Sequence, residues 1–294
     1  MATSPAHRFG QIIGEVLESA ITPLLEDFAK THGLYLDKHG ERPCRTGKKC
    51  TWVDLNKNAH DLDFVLERGG TANKKGMPAA FIEVAWRRYT KHSRNKAQEI
   101  QGAVMPLIET YRNLAPFQGA ILAGVFTKGA LTQLRSLGFI VLYFSYETVI
   151  EVFRKFSIDA AFDEQTPDAE FEQKVKAYED LSPEKRKALA GELIKACPDD
   201  VKAFMGSLTT AVSRQIESIL VLPLHGNPHR VTTVEDALKF IQRYDENRDV
   251  DRFERYEIRV RYNNDNEVNG AFNDKESAIE FLRIFQPLHI VPVR

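Results

Sequence analysis

The sequence predicts an α/β protein in which helices flank a mixed sheet, followed by a helical connector and a small α+β domain. Three observations carry this prediction. An amphipathic helix opens the chain, strand-type segments precede the next helix, and two apolar strands joined by a short helix come after it. About 80 residues at the end of the chain then repeat one pattern of strand, turn, strand and helix.

Composition and charge exclude several classes of protein. With 294 residues, 43% of them hydrophobic, the chain has the make-up of a soluble globular protein of about two domains. Its 40 basic residues nearly balance its 41 acidic ones, which excludes binding to nucleic acid by bulk positive charge. Three cysteines exclude a disulfide scaffold, the C-x5-C spacing of Cys44 and Cys50 is wide for zinc, and no apolar run is long enough to span a bilayer. We therefore expect a cytoplasmic protein with no membrane partner.

The opening helix is predicted over residues 8–30, where apolar residues recur at helical spacing. Pro23 predicts a kink or a division of this helix, and Gly33 predicts its stop. A short extended piece, LYLDK, precedes three strand segments that read TWVDL, DLDFVLER and AAFIEVAW and that we expect to form a meander. The next helix is predicted from Ser93, a possible cap, to Tyr111.

Beyond that helix the chain reads GAILAGVF, a helix that ends at Gly138, FIVLYFS and a further helix. Two buried strands joined by a helix of this length form a βαβ unit, which implies parallel strands covered on both faces. The first domain is therefore predicted over residues 1–160, with a polar helical connector over 161–213. Residues 214–294 repeat at an offset of 41, which predicts two ββα units and a final strand HIVPV, in a domain for DNA recognition or dimerisation.

Two acidic residues of the strand segments are candidates for chemistry. Glu83 stands inside the apolar run FIEVAW, where a buried carboxylate is costly unless it is paired or metal-bound. Adjacent hairpin strands would bring it beside Asp63 of DLDFVLER. Two close carboxylates need a cation, and their hard oxygen ligands suit Mg²⁺ or Mn²⁺. The alternative is that both carboxylates face solvent or pair with nearby arginines.

The stretch from Val84 to Gln98 contains no acidic residue. Its basic residues are Arg87, Arg88, Lys91, Arg94 and Lys96. A carboxylate pair followed by a basic strand end and helix start suits a phosphodiester, with a metal at the scissile phosphate and a cationic rim on its neighbours. The alternative is an ordinary solvated helix start.

This order of elements and motifs resembles the PD-(D/E)xK nuclease superfamily, which includes many restriction endonucleases, over about residues 8 to 155. The resemblance implies a restriction-endonuclease-like fold and a Mg²⁺-dependent endodeoxyribonuclease, of the site-specific type II restriction kind. It implies that Asp63 and Glu83 bind the metal. A glutamate of the opening helix, Glu18 in preference to Glu15, is similar to the further ligand of many members.

The sequence departs from the family pattern at Ala85, where the family lysine is expected two residues after Glu83. That lysine orients the attacking water and stabilises charge in the transition state. A lysine from elsewhere would have to replace it. The candidates are Lys96, which we favour, and Lys91 on the following helix, with Lys74 and Lys75 of the preceding loop less favoured.

Two further groups of basic residues have alternative interpretations. In the second ββα unit, Arg259 and Arg261 alternate with apolar residues, and a two-stranded ribbon with an arginine face can enter a DNA groove. The alternative is an exposed hairpin face balanced by Glu257 and Glu267. The loop that carries Arg42, Arg45, Lys48 and Lys49 is either a phosphate contact or a solvated loop.

Together these features predict a site-specific endonuclease that acts on double-stranded DNA, as a homodimer, in a prokaryotic cytoplasm. Two other classes remain open. One is a non-catalytic DNA-binding or assembly protein that kept the fold and lost the lysine. The other is a nuclease that acts on repair intermediates or RNA.

Overall fold

The computed structural model describes residues 4–223, 229–246 and 253–286. Two compact units make up the chain, one from residues 1–110 with 117–208 and the other from 111–116 with 209–294. The first contains a mixed five-stranded sheet flanked by helices, and the second a separate four-stranded antiparallel sheet. The predicted α/β class is therefore confirmed. Among the described helices, none has the length and apolar character needed to cross a membrane.

The opening helix α1 spans Pro5–Thr31. Ser4 caps it by accepting a hydrogen bond from the backbone N–H of His7. Pro23 lies inside the helix and does not divide it, so that alternative for the proline is wrong. The helix ends shortly before Gly33, whose φ of 63° is the left-handed conformation typical of a helix stop.

The strands of the first unit are β1 (Leu34–Lys38), β2 (Cys50–Val53), β3 (Ala59–Leu62), β4 (Phe64–Arg68), β5 (Met77–Arg87), β6 (Phe117–Gly124) and β7 (Ile140–Ser145). The main sheet has the order β1-β4-β5-β6-β7, and β2 and β3 form a separate two-stranded ribbon. The pairs β1–β4 and β4–β5 are antiparallel, whereas β5–β6 and β6–β7 are parallel. The predicted meander of TWVDL, DLDFVLER and AAFIEVAW is therefore wrong in its first strand, because LYLDK pairs in the main sheet where TWVDL was expected.

The segment DLDFVLER forms two strands where the sequence predicted one. β3 pairs with β2, while β4 pairs with β1 and β5. Asp63 is the bend between β3 and β4, at the point where the chain changes from the ribbon to the main sheet. The break places the Asp63 side chain at the end of the main sheet, next to β5.

The other helices that begin in this unit are α2 (Thr90–Thr110), α3 (Lys128–Ser136), α4 (Tyr146–Arg154), α5 (Asp168–Glu179), α6 (Pro183–Ala196) and α7 (Pro198–Val212). α3 joins the parallel strands β6 and β7, which confirms the βαβ unit. Ser93 is not the cap of α2, because the helix begins at Thr90. The buried Ser93 hydroxyl donates to the Thr90 carbonyl oxygen at 2.8 Å.

The residues predicted as a separate connector instead belong largely to the first unit. α5 and α6 pack against α1, and they bury Phe171, Tyr178, Leu189 and Leu193. The polar composition of these helices describes only their outer faces. The first compact unit therefore extends to Leu208, well beyond the predicted boundary at residue 160.

The second unit contains β8 (Ile216–Pro223), β9 (His229–Val231), α8 (Val234–Arg243), β10 (Tyr256–Tyr262), β11 (Glu267–Phe272) and α9 (Lys275–Arg283). Its sheet has the order β11-β10-β8-β9 with antiparallel pairs throughout. The order strand, strand, helix occurs twice, as the sequence repeat predicted. The predicted last strand, HIVPV, lies outside the described residues.

Candidate active site

The sheet register brings the two predicted carboxylates together. Phe64 of β4 pairs with Ile82 of β5, so the preceding residue, Asp63, lies across from Glu83. The backbone N–H of Val84 donates to Asp63 Oδ2 at 2.7 Å, and the backbone N–H of Asp63 donates to the Glu83 carboxylate. The backbone of β5 therefore holds the Asp63 carboxylate, and the backbone at Asp63 holds the Glu83 carboxylate. We call Asp63 and Glu83 the carboxyl pair.

Burial makes the carboxyl pair costly to ionise. Glu83 is 6% exposed, and its Oε1 has no hydrogen-bond partner among the described residues. Loss of solvation, together with the charge of Asp63, raises the pKa of Glu83 to about 8. Loss of solvation also raises the pKa of Asp63, although the Val84 N–H and the charge of Lys96 oppose this. The pair therefore retains a proton near neutral pH unless a cation compensates its charge.

Lys96 faces the carboxyl pair from α2. Its ammonium group lowers the pKa of both Asp63 and Glu83, which places its charge close to each of them. The side chain is 19% exposed and also forms an ion pair with Glu99 at 3.3 Å. The buried Ala85 of β5, where the family lysine is expected, has no polar group. A lysine charge therefore acts on the pair from the neighbouring helix.

The other candidate lysines differ from Lys96 in their surroundings. Lys75 Nζ donates to the Thr51 carbonyl oxygen at 2.6 Å and lies 4.9 Å from the centroid of the Trp52 ring. Lys74 is exposed in the same loop. The backbone of Lys91 lies in α2, but its side chain is outside the described part of the structure. Among the candidate lysines whose side chains the structure describes, Lys96 is the one whose charge acts on both carboxyl groups.

The helix glutamates differ in how close they come to the carboxyl pair. Glu18 is exposed on α1, and partial loss of solvation and the charge of Asp63 raise its pKa. Glu15 forms an ion pair with Arg8 at 2.7 Å. No three His, Cys, Asp or Glu side chains converge to hold a metal ion within residues 4–223, 229–246 and 253–286. Glu18 therefore lies within electrostatic range of the pair without forming a three-carboxylate group.

The basic residues at the end of β5 have different environments. Arg88 Nε donates to the Phe162 carbonyl oxygen at 2.6 Å, and the guanidinium lies 4.0 Å from the centroid of the Tyr146 ring. Arg87 is half-buried, with an ion pair to Glu99 at 3.6 Å, and Arg94 is exposed. Arg88 is thus held by contacts within the protein, whereas Arg94 points to solvent and Arg87 retains partial exposure.

A cavity of about 620 Å³ adjoins the carboxyl pair. We call it the strand-end cavity, because the last residues of β5 form one of its walls. The other walls come from the first turns of α1, from Lys96, and from the segment between Phe162 and Phe171. Sequence reasoning did not find this cavity. The sequence feature that could have indicated the cavity is the pair Gly10 and Gly14, which lie one turn apart on the same face of α1.

The loop before β2 contains an ion-pair network that neither interpretation of its sequence anticipated. The buried Arg42 donates to both carboxylate oxygens of Glu67, at 2.6 and 3.0 Å, and pairs with Asp37 at 2.8 Å. Arg45 also pairs with Asp37, at 3.3 Å. The two arginines are therefore neither phosphate contacts nor solvated. Lys48 and Lys49 of the same loop are exposed.

In the second unit, acidic residues accompany the predicted base-reading arginines. Arg259 lies 3.8 Å from Glu267, and Arg261 lies 3.4 Å from Glu217 and 2.9 Å from Asp265. Both arginine side chains remain about half exposed. The arrangement fits a balanced hairpin face, and base recognition by Arg259 and Arg261 stays a prediction.

Comparisons with known proteins give no name to this site. No protein-family model matches the sequence, and no curated protein matches it. The crystal structure of a "Protein of Unknown Function AF1548" matches 64% of this chain and 99% of its own, with 10% sequence identity and a TM-score of 0.26. That similarity is too low to inform either fold or function.

Proposed function

We propose that this protein is a metal-dependent endonuclease that hydrolyses phosphodiester bonds of DNA. The observation that carries the proposal is the buried carboxyl pair with the charge of Lys96 directed at both of its members. Buried carboxyl groups with strongly raised pKa values are costly to stability and are characteristic of functional sites. The resemblance of the element order to the PD-(D/E)xK superfamily supports the same assignment.

The residues of the pair fit a divalent metal. Two carboxylates supply hard oxygen ligands, and the unpartnered Oε1 of Glu83 is a buried atom that a cation would satisfy. Asp63 and Glu83 would therefore hold Mg²⁺ or Mn²⁺, with Glu18 within range to assist through a water. A bound metal would supply Lewis-acid stabilisation of the phosphate charge and a more acidic water.

The chain's own groups would perform the remaining tasks. The backbone N–H groups of Val84 and Asp63 fix the orientation of the two carboxylates. Lys96 would orient the attacking water and stabilise negative charge that develops on the phosphate. Arg87 at the end of β5 and Arg94 of α2 would provide positive charge for the neighbouring phosphates, with Lys91 also on α2. Arg88 would act indirectly, by holding the end of β5 against Phe162.

The finer parts of the proposal rest on the same resemblance. Cleavage of double-stranded DNA at one sequence, of the type II restriction kind, would require base recognition, for which Arg259 and Arg261 are the candidates. Restriction enzymes of this kind act as homodimers in prokaryotic cytoplasm, and we propose the same here. A non-catalytic DNA-binding protein is the second candidate, because Ala85 stands where the family lysine is expected and the Lys96 ammonium also pairs with Glu99.

Plasmid cleavage tests the proposal. Purified protein with Mg²⁺ should cut supercoiled plasmid DNA, while Asp63→Ala should abolish cutting because the metal loses a ligand. Asp61→Ala is the matched control, since Asp61 lies two residues away but is exposed and pairs with Lys49 at 2.6 Å. The control should cut at the wild-type rate. Equal rates for wild type and Asp63→Ala would refute the nuclease, and DNA binding without any cutting would support the non-catalytic candidate.

A further inference from the structure

We propose that the strand-end cavity binds the base of an unpaired nucleotide, so that the substrate is DNA with an unpaired nucleotide beside the scissile phosphate. This inference rests on the proposed nuclease function and deepens it by naming the substrate class: a duplex with an unpaired nucleotide takes the place of the fully paired duplex of the restriction kind. It is carried by the position, shape and charge of the cavity.

The cavity begins next to Glu83, at Val84 of the same strand. Val84, whose N–H donates to Asp63, and Lys96, whose charge acts on both carboxyl groups, are part of its wall. A phosphate bound at the pair would therefore place the adjoining nucleotide at the mouth of the cavity. The cavity and the proposed reaction site would then contact one and the same substrate molecule.

Two glycines of α1 face open space in the cavity. A Cβ at Gly14 would contact nothing within 4 Å, and one at Gly10 would approach only Trp86 Nε1, at 4.0 Å. Glycine weakens a helix interior relative to alanine, so this space is not explained by the stability of α1. The volume of about 620 Å³ lies within the range of sites that enclose small organic ligands.

Aromatic side chains supply surfaces for a base. Trp86, Tyr89, Phe162 and Phe171 all line the cavity, but Trp86 and Phe171 are buried and Tyr89 and Phe162 are partly exposed. The rings of Phe162 and Phe171 pack edge to face at 5.1 Å between centroids, as do those of Tyr89 and Phe162 at 6.4 Å, so a base would stack on the exposed parts of Tyr89 and Phe162. Unpaired bases stack on aromatic rings of this kind in proteins that bind single strands.

The charges of the cavity differ between its walls. Arg87 and Lys96 lie on the wall next to the carboxyl pair, whereas Asp163, Glu164 and Asp168 lie on the wall formed by the segment before and at the start of α5. Arg88 also lines the cavity, with its guanidinium against the Tyr89 and Phe162 rings and its Nε bonded to the Phe162 carbonyl oxygen. The acidic wall repels phosphate, and carboxylates accept hydrogen bonds from the amino groups of bases. The base therefore suits the acidic wall and the phosphate the basic one. A base stacked within a duplex cannot enter such a cavity unless it leaves the stack.

Equilibrium binding in Ca²⁺ tests the inference without turnover. The probes are a fully paired duplex, the same duplex with one unpaired 2-aminopurine, and the same duplex with an abasic site at that position. We expect the unpaired 2-aminopurine to increase affinity about 10-fold and its fluorescence to fall on binding, because the base stacks on the aromatic wall. Equal affinity for the 2-aminopurine and abasic duplexes, or unchanged fluorescence, would overturn the inference.

A cavity-filling variant sharpens the test. Gly14→Leu should abolish the preference for the unpaired base and leave affinity for the paired duplex unchanged, whereas Gly14→Ala should keep most of the preference. Gly191→Leu is the matched control, because Gly191 is also a half-buried helical glycine whose Cβ would contact nothing within 4 Å, but it lies outside the cavity. Circular dichroism verifies folding. A preference retained in a folded Gly14→Leu protein would contradict the proposed location.

Cleavage in Mg²⁺ separates failure of this inference from failure of the proposed function. If wild-type protein cuts the paired and unpaired duplexes at equal rates, the substrate assignment is wrong and the nuclease remains. If the protein cuts neither duplex but the fluorescence of 2-aminopurine still falls, the cavity binds a base and the nuclease is wrong.

Discussion

At the scale of single residues, the proposed reaction depends on Lys96 taking the place of the lysine that the family pattern expects at Ala85. A lysine two residues after Glu83 would project from the same strand as the metal ligand, whereas Lys96 approaches from a helix. Its charge nevertheless lowers the pKa of both carboxyl groups, so it lies close enough to act on the same place. Transition-state stabilisation depends on where a charge lies and not on which element carries it.

Removing this charge should slow the reaction without preventing binding. Lys96→Ala is expected to cut about 100-fold more slowly than wild type, because the water loses its orienting group and the phosphate loses a stabilising charge. Affinity measured in Ca²⁺ should change little. Lys187→Ala, which alters an exposed lysine of α6, is the control and should behave as wild type. A normal rate for Lys96→Ala would move the role to Lys91 or to the loop of Lys74 and Lys75.

The raised pKa of Glu83 predicts a pH dependence of stability. The folded-state pKa of about 8 lies above the value near 4.3 of an unfolded glutamate, so the folded protein binds more protons between these limits. The free energy of unfolding of the metal-free protein should therefore fall as the pH rises from 5 to 8. Its steepest contribution from one group is about 1.4 kcal/mol per pH unit.

Denaturant unfolding at several pH values measures this slope. Glu83→Gln should flatten it, because glutamine does not ionise. Glu172→Gln, a change at an exposed position of α5, should leave the slope as in the wild type. If the Glu83→Gln protein keeps the wild-type slope, Glu83 does not hold the proton near neutral pH.

At the scale of helices and strands, the sequence predicted those elements whose pattern is local. The periodicity of α1, the βαβ unit and the ββα repeat are each contained in a short window of sequence. The break at Asp63 was not predicted, because alternation in DLDFVLER continues across the bend and only the change of pairing partner creates it. The carboxyl pair was predicted because Glu83 is conspicuous within an apolar strand, and the strand-end cavity was missed because distant segments enclose it.

The ion-pair network around Arg42 shows a second limit of the same kind. The loop appears solvated in sequence, yet Asp37 of β1 and Glu67 of β4 lie on adjacent strands and draw Arg42 into the interior. A buried charge is tolerated only where it is paired. The sequence feature that could have indicated a buried cationic partner is the presence of one acidic residue in each of the two strands, Asp37 in β1 and Glu67 in β4.

Loss of that cation should destabilise the first unit. Arg42→Ala leaves Glu67 and Asp37 buried with their main partner removed, and the expected cost is about 3–5 kcal/mol of unfolding free energy. Lys48→Ala, in the exposed part of the same loop, should change the unfolding free energy by no more than about 0.5 kcal/mol. Denaturant unfolding compares the two variants. A loss of less than about 1 kcal/mol in Arg42→Ala would mean that the network contributes little.

At the scale of the whole molecule, the two compact units carry basic residues of different kinds. In the first unit, Arg87 at the end of β5 and the exposed Arg94 of α2 would contact backbone phosphates in the proposed complex. In the second, Arg259 and Arg261 alternate along β10 beside acidic partners, an arrangement that supports selective contacts more than general attraction. The net charge of −1 agrees with DNA binding through local contacts and not through bulk charge.

DNA affinity as a function of salt separates these roles. Arg87→Ala with Arg94→Ala should weaken binding to all sequences and reduce the slope of log affinity against log salt by about 0.9 for each phosphate that the variant no longer neutralises. The corresponding Arg→Lys changes keep the charge and should retain the slope. Arg259→Ala with Arg261→Ala should instead alter the ratio of affinities for matched and scrambled duplexes, since base contacts determine specificity. An unchanged salt slope in the Arg87 and Arg94 double variant would mean that these residues contact solvent and not phosphate. An unchanged affinity ratio in the Arg259 and Arg261 double variant would mean that β10 is a balanced hairpin face that does not read bases.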